Sequence, residues 1–256
     1  MRIDRIGFTP LKGGRHLTHD SVDLSVDGPQ GDRVFCLVDR SRGRVLRTVE
    51  NPTLLQASAR WASGVLSVEL PGRSGLRTIE GVPSGTGEEL KVDYWGRAAA
   101  LEVCDGPWAE AYSEHLGFDV LLARSRSAGE VVYGAPVSLV TSSSMRLLSD
   151  RLGRTVGSER FRMTFLLDSG DAAAHVEDTW IGRELRIGEA TVTVRARIPR
   201  CAVVNLDPET GRSDAPVLRE LAGYRRSEGD VEFGVDAVVT SAGRVRAGDQ
   251  AELGRD

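Results

Sequence analysis

The chain has 256 residues, of which 40% are hydrophobic and 27% charged, and 33 basic against 37 acidic side chains give a formal net charge of -4. This length allows one large or two small globular domains with a substantial core. The slightly acidic balance argues against a nucleic-acid or anionic-membrane binder, because such proteins need a concentrated cationic face. Only Lys12 and Lys91 are lysine, so the other basic residues are arginine. A GC-rich coding sequence explains most of this bias, but some guanidinium groups can hold a planar anion such as phosphate.

The three cysteines, Cys36, Cys104 and Cys201, are too few and too widely spaced for a disulfide framework, a CxxC zinc site or a plant-type iron–sulfur cluster. We therefore expect a reduced, intracellular protein. The first residues lack the apolar stretch of a signal peptide, and no segment approaches 18 uncharged apolar residues. These features predict a cytoplasmic protein that does not bind a membrane.

Short apolar segments separated by Gly, Pro, Asp and Ser dominate the chain and predict strands, with a few helices between them. Residues 190–198 give the clearest strand, because Ala, Val and Ile alternate with Thr and Arg and predict one buried face. The other predicted elements are buried strands at residues 34–38, which include Cys36 as a core residue, and 235–239; an alternating strand at 66–70; and helices at 105–117, 142–153 and 214–223.

Many strands with few short helices predict a mostly β, barrel-like fold. The stretch at residues 124–129 has the composition of a boundary. We therefore expect two intimately packed halves, a β-barrel at residues 1–123 and a second domain at residues 130–256.

Common cofactor and catalytic motifs are absent from the sequence. It contains no Gly-x-Gly-x-x-Gly after a strand, no P-loop and no Gly-x-Ser-x-Gly, so we expect no bound nicotinamide, flavin or P-loop nucleotide and no serine hydrolase site. The four histidines are too scattered for a HExxH zinc site. His16 and His19 are predicted to form a solvated pair in a loop.

Cys201 is the most informative residue of the sequence. It follows the predicted strand at residues 190–198 and lies behind Pro199, which stops ladder hydrogen bonding, so its thiol is expected at the rim of a sheet. Arg200, together with Arg195 and Arg197, would favour the thiolate. A thiolate can ligate a metal, act as a nucleophile or carry a persulfide, and a structural role stays open on these residues alone.

A set of short motifs in a fixed order gives the sequence a wider resemblance. The C-terminal half resembles a MOSC domain, the module named for the C-terminus of molybdenum cofactor sulfurase. The N-terminal half resembles the β-barrel that precedes this module in the amidoxime-reducing component group. The motifs are 9–14 (TPLKGG), 31–33 (GDR), 37–39 (LVD), 51–52 (NP), 136–145 (PVSLVTSSSM), 160–162 (RFR), 177–180 (EDTW), Gly182, 185–188 (LRIG), 199–201 (PRC), 207–211 (DPETG), 233–235 (FGV) and 248–249 (GD).

The resemblance implies a molybdenum cofactor, a pyranopterin dithiolene carrying a phosphate, in a cleft between the halves. It implies Cys201 as the thiolate ligand of molybdenum and as the catalytic residue. The residues that it implies as cofactor contacts are Lys12, Arg33, Thr141, Ser142, Arg162, Thr164 and Arg200. Two positions depart from the pattern, because relatives have Arg-Pro-Asn where this chain has Arg162-Met163-Thr164, and commonly a hydroxyl residue where it has Gly13.

The activity that the resemblance implies is reduction of N-hydroxylated or N-oxide small molecules. Electrons would come from an external redox protein, because the sequence holds neither an iron–sulfur nor a flavin motif. The alternative is a sulfur-transfer protein in which Cys201 carries a persulfide received from a cysteine desulfurase partner. A non-enzymatic cofactor carrier is a third interpretation.

Overall fold

The computed structural model describes residues 1–72, 75–94, 96–126 and 131–254. Strands dominate these residues, together with three α-helices and several short 3-10 helices, which confirms the mostly β fold. The strands of the N-terminal part are β1 (Arg2–Phe8), β2 (Leu17–His19), β3 (Ser21–Ser25), β4 (Gly28–Pro29), β5 (Phe35–Asp39), β6 (Arg44–Val45), β7 (Ser58–Ala62), β8 (Val65–Gly72), β9 (Gly75–Gly81), β10 (Ser84–Tyr94), β11 (Arg97–Asp105) and β12 (Val120–Ser125).

Eight further strands and three helices complete these elements, and they include the predicted strands at residues 190–198 and 235–239. The strands are β13 (Val137–Thr141), β14 (Phe165–Asp168), β15 (Glu184–Ile187), β16 (Ala190–Pro199), β17 (Arg226–Ser227), β18 (Asp230–Ser241), β19 (Gly243–Arg246) and β20 (Ala251–Leu253). The helices are α1 (Trp108–Leu116), α2 (Ser142–Leu152) and α3 (Val217–Ala222). All three predicted helices are confirmed, and α1 and α2 each end at a glycine in the left-handed conformation.

A five-stranded closed barrel and a nine-stranded sheet form the two main bodies. The barrel runs β10-β11-β12-β5-β6, and the large sheet runs β2-β1-β14-β13-β18-β16-β15-β20 with β17 beside β18. Strand β5 is buried at every position, and Cys36 is fully buried, as predicted from its apolar run. Two three-stranded sheets, β7-β8-β9 and β19-β3-β4, complete the described strands.

The large sheet combines strands from both ends of the chain. Strand β1 pairs antiparallel with β14, and β3 pairs antiparallel with β19. The N-terminal strands therefore cross to the sheet of the C-terminal half and bring the loop after β1 against it. The predicted boundary at residues 124–129 falls partly outside the described residues, and the division into residues 1–123 and 130–256 stays a prediction.

The predicted burial of β16 is correct for only half of the strand. Ala190, Val192 and Val194 are buried, but Ala196 is exposed and Ile198 half-buried. The pairing of β16 with β18 shifts register between Val194 and Ala196. Such an irregularity turns the strand, so alternation read from the sequence no longer predicts which face is buried.

Across the described ranges, no helix is both long and apolar enough to cross a membrane.

Candidate functional site

Lys12 lies on the loop between β1 and β2, next to the barrel. Its backbone N–H donates to the carbonyl of Phe35 at 2.8 Å, which ties the loop to β5. Its Nζ donates to the Tyr94 hydroxyl at 2.7 Å and lies 4.6 Å from the centre of that ring. The half-buried amine therefore has a neutral partner rather than a carboxylate.

Arg33 lies on the loop before β5, with a left-handed backbone at φ 49°. Its backbone N–H donates to the carbonyl of Thr9 at 2.8 Å, so the loops before β5 and after β1 are held together. Its Nη1 donates to the Asp32 carboxylate at 2.6 Å, and the two side chains are only 16% and 5% exposed. Asp32 also accepts from the backbone N–H of Thr9, at 3.3 Å.

Arg162 reaches the same place from the C-terminal half. It follows the 3-10 helix Ser158–Phe161 and has a left-handed backbone at φ 56°. Its Nη1 donates to the carbonyl of Gly14 at 2.8 Å. Its Nη2 is buried without a hydrogen-bond partner among the described residues. One charged donor is therefore left free where the two halves meet.

Lys12, Arg33 and Arg162, which we call the basic cluster, act on one another electrostatically. Burial first, and then the charges of Arg33 and Arg162, lower the pKa of Lys12 to about 7. Burial and Arg33 lower the pKa of Arg162 to about 10. Because Asp32 is already bonded to Arg33, it offsets only part of this charge. Buried cations normally have an anionic partner, and the free Nη2 of Arg162 fits a phosphate oxygen.

Cys201 is exposed, at the end of β16 and immediately before the 3-10 helix Ala202–Asn205. Its neighbour Arg200 connects it to the basic cluster, because Nη1 of Arg200 donates to the carbonyl of Phe161 at 3.0 Å, one residue before Arg162. Nε and Nη2 of Arg200 donate to the carbonyl of Phe233 at 2.9 and 2.7 Å. Burial lowers the pKa of Arg200 to about 9. Its guanidinium is thus bonded to backbone carbonyls and to Sδ of Met163, and these contacts hold the turn that carries Cys201.

Thr164 lies two residues after Arg162 but directs its hydroxyl into the protein. Its Oγ1 accepts from the backbone N–H of Ser138 at 3.1 Å, and the Ser138 hydroxyl accepts from the backbone N–H of Thr164 at 2.9 Å. The residue is 4% exposed, and its carbonyl accepts from the N–H of Gly7 at 2.8 Å. Thr164 therefore joins β1, β13 and the start of β14.

Thr141 and Ser142 lie at the opposite end of β13 from Thr164. The parallel register of β13 and β14 aligns Leu139 with Phe165 and Thr141 with Leu167. At about 3.3 Å per residue, Thr141 is roughly 10 Å along the strand from Ser138. Among the described residues, the hydroxyls of Thr141 and Ser142 are bonded to Glu177 and Ser169 rather than to the basic cluster, and their role as cofactor contacts stays a prediction.

Residues 141–144, which we call the hydroxyl cluster, are bonded internally. Thr141 is the N-cap of α2 and accepts from the backbone N–H of Ser144 at 3.3 Å. The hydroxyls of Thr141 and Ser144 donate to the buried carboxylate of Glu177 at 2.7 and 2.9 Å. The Ser142 hydroxyl accepts from the backbone N–H of Ser169 at 3.1 Å. Helix capping accounts for these residues in the described structure.

His16 contradicts the prediction of a solvated pair of histidines. It is only 6% exposed, and its Nδ1 is buried without a hydrogen-bond partner in the part of the chain that the structure describes. His19 is the last residue of β2, stacks on Phe8 with ring centres 3.6 Å apart, and lies within hydrogen-bond distance of its carbonyl. His16 lies four residues after Lys12, and this short spacing could have suggested that the two side chains are close. Its burial depends on contacts with β1, which the sequence alone does not reveal.

Comparison with known proteins gives a consistent set of relatives. The profile of the MOSC domain matches residues 115–252. Mitochondrial amidoxime reducing component 2 of Macaca fascicularis is 32% identical over 96% of this chain and 82% of its own length. The protein of that name from Rattus norvegicus is 25% identical over 96% of this chain and 81% of its own. Molybdenum cofactor sulfurase of Oryza sativa subsp. japonica is 25% identical over 92% of this chain, which spans 32% of that protein.

Proposed function

Because the chain belongs to the MOSC domain family, we propose that it binds a molybdenum cofactor and reduces N-oxygenated small molecules with electrons from an external redox protein. The observation that carries the proposal is the half-buried, incompletely neutralised charge of Lys12, Arg33 and Arg162, which Arg200 links to the turn that presents Cys201. A cofactor with a phosphate at one end and a thiolate-binding metal at the other suits both features.

The residues of the basic cluster fit the phosphate and pterin of this cofactor. Arg162 has a free Nη2, which can donate to a phosphate oxygen. Arg33 would use donors beyond the Nη1 that holds Asp32, and Lys12 would add a point charge. An anion at this place would offset the mutual repulsion of the three cations, so binding would raise the pKa of Lys12 from about 7 towards its usual value.

Cys201 and Arg200 would serve the metal end. When bound, the cofactor supplies two-electron redox chemistry at molybdenum. Cys201 would hold the metal through its exposed Sγ. Arg200 would act as a positioning residue, because its donors hold the carbonyls of Phe161 and Phe233 on either side of the thiol-bearing turn. We leave Thr141 and Ser142 out of the proposed contacts because their hydroxyls are bonded at the far end of β13.

The proposal requires a partner protein. Cys36 and Cys104 are buried in the barrel half, so neither lies with Cys201 at a common redox centre. In this proposal the electrons come from an external redox protein. The cytoplasmic location predicted from the sequence is part of this proposal.

A sulfur-transfer role is the second candidate, and the exposure of Cys201 favours it. The similarity to a molybdenum cofactor sulfurase points in the same direction, although this chain spans about a third of that protein. In this role Cys201 would accept a sulfur atom from a cysteine desulfurase as a persulfide and pass it to an acceptor.

Metal and pterin content separates the two candidates. Protein from a host that makes the cofactor is assayed for molybdenum and pterin as wild type, as Cys201→Ser and as Cys104→Ala, which removes a buried thiol of the barrel half. We expect about one metal per chain in wild type and Cys104→Ala, and loss of metal in Cys201→Ser. Absence of molybdenum from the wild type would refute the proposal. A persulfide on Cys201 without metal would support sulfur transfer.

The substrate class is tested by turnover. Wild type and Cys201→Ser are supplied with a chemical reductant and an N-hydroxylated amidine such as benzamidoxime. The wild type should form the amidine, and Cys201→Ser should not. A metal-loaded wild type that reduces neither an amidoxime nor an N-oxide would overturn the proposed reaction while leaving cofactor binding intact.

A further inference from the structure

We propose that Arg160 is a positioning residue, which holds the turn that carries Cys201 at a fixed place relative to Arg162. The inference rests on the proposed function, because this fixed geometry lets one cofactor reach the thiolate and the phosphate site together. It gives a role to a residue for which the resemblance implies no contact, although Arg160 belongs to one of the motifs.

Three consecutive residues of the chain connect the two ends of the proposed cofactor site. The 3-10 helix that carries Arg160 is followed directly by Arg162 of the basic cluster. The carbonyl of Phe161 accepts from Nη1 of Arg200, the residue before Cys201, at 3.0 Å. Arg160 is bonded to the chain after Cys201. One short segment therefore contacts the thiol-bearing turn on both sides and continues into the phosphate site.

The guanidinium of Arg160 donates to the backbone that follows the thiol. Its Nη1 donates to the carbonyl of Leu206 at 2.6 Å and lies 3.5 Å from the carbonyl oxygen of Val204. These residues belong to the 3-10 helix Ala202–Asn205 and its C-terminal end, and the helix starts at Cys201. The Cys201 carbonyl accepts from the N–H of Val204 at 3.2 Å. Arg160 thus restrains the thiol through a hydrogen-bonded turn of backbone.

Asp214 holds the Arg160 guanidinium in this orientation. Its two carboxylate oxygens accept from Nη1 and Nη2 at 2.7 and 3.1 Å, which makes a bidentate pair. The N–H of Asp214 donates to the carbonyl of Asn205 at 3.1 Å, so the carboxylate is tied to the same 3-10 helix. The planar fork of an arginine can bond the carboxylate and the Leu206 carbonyl at once, while the ammonium of a lysine is a point donor on a flexible stem.

The bonding of Arg160 distinguishes its role from that of Arg162. Both terminal nitrogens of Arg160 are bonded inside the fold, and only its Nε lacks a partner among the described residues. Its side chain is 4% exposed and its charge is paired with Asp214. In Arg162 a terminal nitrogen, Nη2, is left without a described partner. Arg160 therefore acts on the cofactor through the turn, whereas Arg162 can contact it directly.

A fixed separation matters because the proposed cofactor is attached at two points. Once one end is bound, attachment of the other end is intramolecular, and the gain in affinity is lost if the geometry forbids both contacts. Arg162 is held independently of Arg160, because its Nη1 donates to the carbonyl of Gly14 at 2.8 Å. Loss of Arg160 should therefore displace the thiol and leave the phosphate site in place.

The test compares binding of a fragment of the cofactor with binding of the whole. Calorimetry measures the affinity of the cofactor-free chain for inorganic phosphate. Protein from a cofactor-replete host is assayed for pterin per folded chain, and X-ray absorption at the molybdenum edge reports whether a thiolate sulfur is bound in addition to the dithiolene sulfurs. The variants are Arg160→Met, Arg160→Lys and Arg154→Met. Arg154 is the matched control, because its guanidinium donates to Asp214 at 3.1 and 3.0 Å and its described bonds end there.

We expect Arg160→Met to bind phosphate as wild type does, to retain about tenfold less pterin, and to lose the thiolate sulfur from the molybdenum spectrum. Arg154→Met should match the wild type in all three measurements. If Arg160→Met keeps the pterin and the thiolate sulfur of the wild type, the inference is wrong. Equal losses of phosphate and pterin binding would also overturn it, because Arg160 would then serve the phosphate site or the fold as a whole.

Arg160→Lys covers the case in which Arg160→Met does not fold. It keeps a positive charge beside Asp214 but lacks the fork that also bonds the turn. We expect phosphate binding as in wild type, with less pterin and a weaker thiolate signal. With Arg160→Met unfolded, the wild-type pterin content and spectrum in Arg160→Lys would contradict the inference. Absence of both molybdenum and pterin from the wild type would instead refute the proposed function.

Discussion

The basic cluster is half-buried and the hydroxyl cluster mostly buried, and the two polar clusters differ in what their atoms are bonded to. The hydroxyls of Thr141 and Ser144 are bonded to Glu177, which the fold supplies at 2.7 and 2.9 Å. In the basic cluster, Lys12 is bonded to a neutral phenol, and Nη2 of Arg162 has no partner among the described residues. The hydroxyl donors of Thr141 and Ser144 are thus served within the fold, although Oε1 of Glu177 has no partner among the described residues, while the basic cluster keeps a charged donor for an anion.

This difference explains why residue type alone misleads. A hydroxyl-rich helix start can bind an anion or cap itself, and both uses have the same sequence pattern. The contacts decide between them, because a donor that already serves an internal carboxylate is not available to a ligand. In this chain, the free Nη2 of Arg162 is therefore a stronger indication of an anion site than the hydroxyl motif at the start of α2.

The largest expected effect concerns cofactor retention. Arg162→Met should lower pterin affinity by about tenfold to a hundredfold, because a charged hydrogen bond and a unit of charge are lost. Thr141→Val, at the hydroxyl cluster, should leave retention unchanged at equal folded fraction. Pterin released on denaturing each purified variant measures the effect. If Arg162→Met and Thr141→Val lose equal amounts of pterin, the basic cluster and the hydroxyl cluster do not differ in their contribution to ligand binding.

The second effect concerns the free energy of unfolding, and here the Thr141 variant should lose more than the Arg162 variant. Thr141→Val should lower the free energy of unfolding by about 2 kcal/mol, because an N-cap and a hydrogen bond to a buried carboxylate disappear. Arg162→Met in cofactor-free protein should cost less, because it also removes a buried charge that lacks a full partner. Urea unfolding of both variants gives the comparison. A larger loss in Arg162→Met would mean that the arginine serves the fold rather than a ligand.

The third effect is a pH dependence of the cofactor-free protein. Lys12 has a pKa of about 7 in the folded chain and near the ordinary lysine value of 10.5 when unfolded, so the unfolded chain binds the extra proton between these values. The free energy of unfolding contributed by this group should therefore rise with pH from about 7 to about 10. Groups that face the amine are Tyr94, Arg33, Arg162, Cys36 and Asp32.

Urea unfolding across that pH window tests this sign. Lys12→Met should flatten the rise, and Lys91→Met, which changes an exposed lysine of β10, should leave it in place. If the free energy of unfolding rises equally with pH in wild type and in Lys12→Met, the Lys12 amine does not have the lowered pKa that burial and the neighbouring cations predict.

The smallest effect is the matching titration in the hydroxyl cluster. Burial raises the pKa of Glu177 above its ordinary value, despite the hydrogen bonds from Ser144 and Thr141. At pH values between the unfolded and the folded pKa of Glu177, the native chain binds one more proton than the unfolded chain. The contribution of Glu177 to the free energy of unfolding therefore falls as the pH rises above about 4.5. Glu177→Gln should flatten this fall. Glu209→Gln, at an exposed position, should keep it.

The sequence predicted the elements whose signals are local. The helix ends at Gly117 and Gly153, and the doubly buried strand that contains Cys36, follow from nearby residues alone. The outward turn of β16 after Val194 depends on a register shift against β18, which alternation does not encode. Likewise the pairing of β1 with β14 joins residues far apart in the chain.

For the site, the resemblance named Lys12, Arg33 and Arg162, and the structure places these three together. It also named Thr141, whose bond to Glu177 becomes visible only when the 3-10 helix Val176–Trp180 is packed on α2 and β13. His16 was interpreted as solvated because its burial depends on Gly7 and Arg5 of β1. These outcomes depend on long-range contacts, which motif spacing cannot report.

The most direct test of the central claim is a crystal structure of cofactor-loaded protein, with anomalous scattering measured at the molybdenum edge. We expect an anomalous peak bonded to Sγ of Cys201, with the phosphate contacting Nη2 of Arg162 in the basic cluster. A phosphate at the start of α2, contacting Ser142, or a metal away from Cys201, would contradict it.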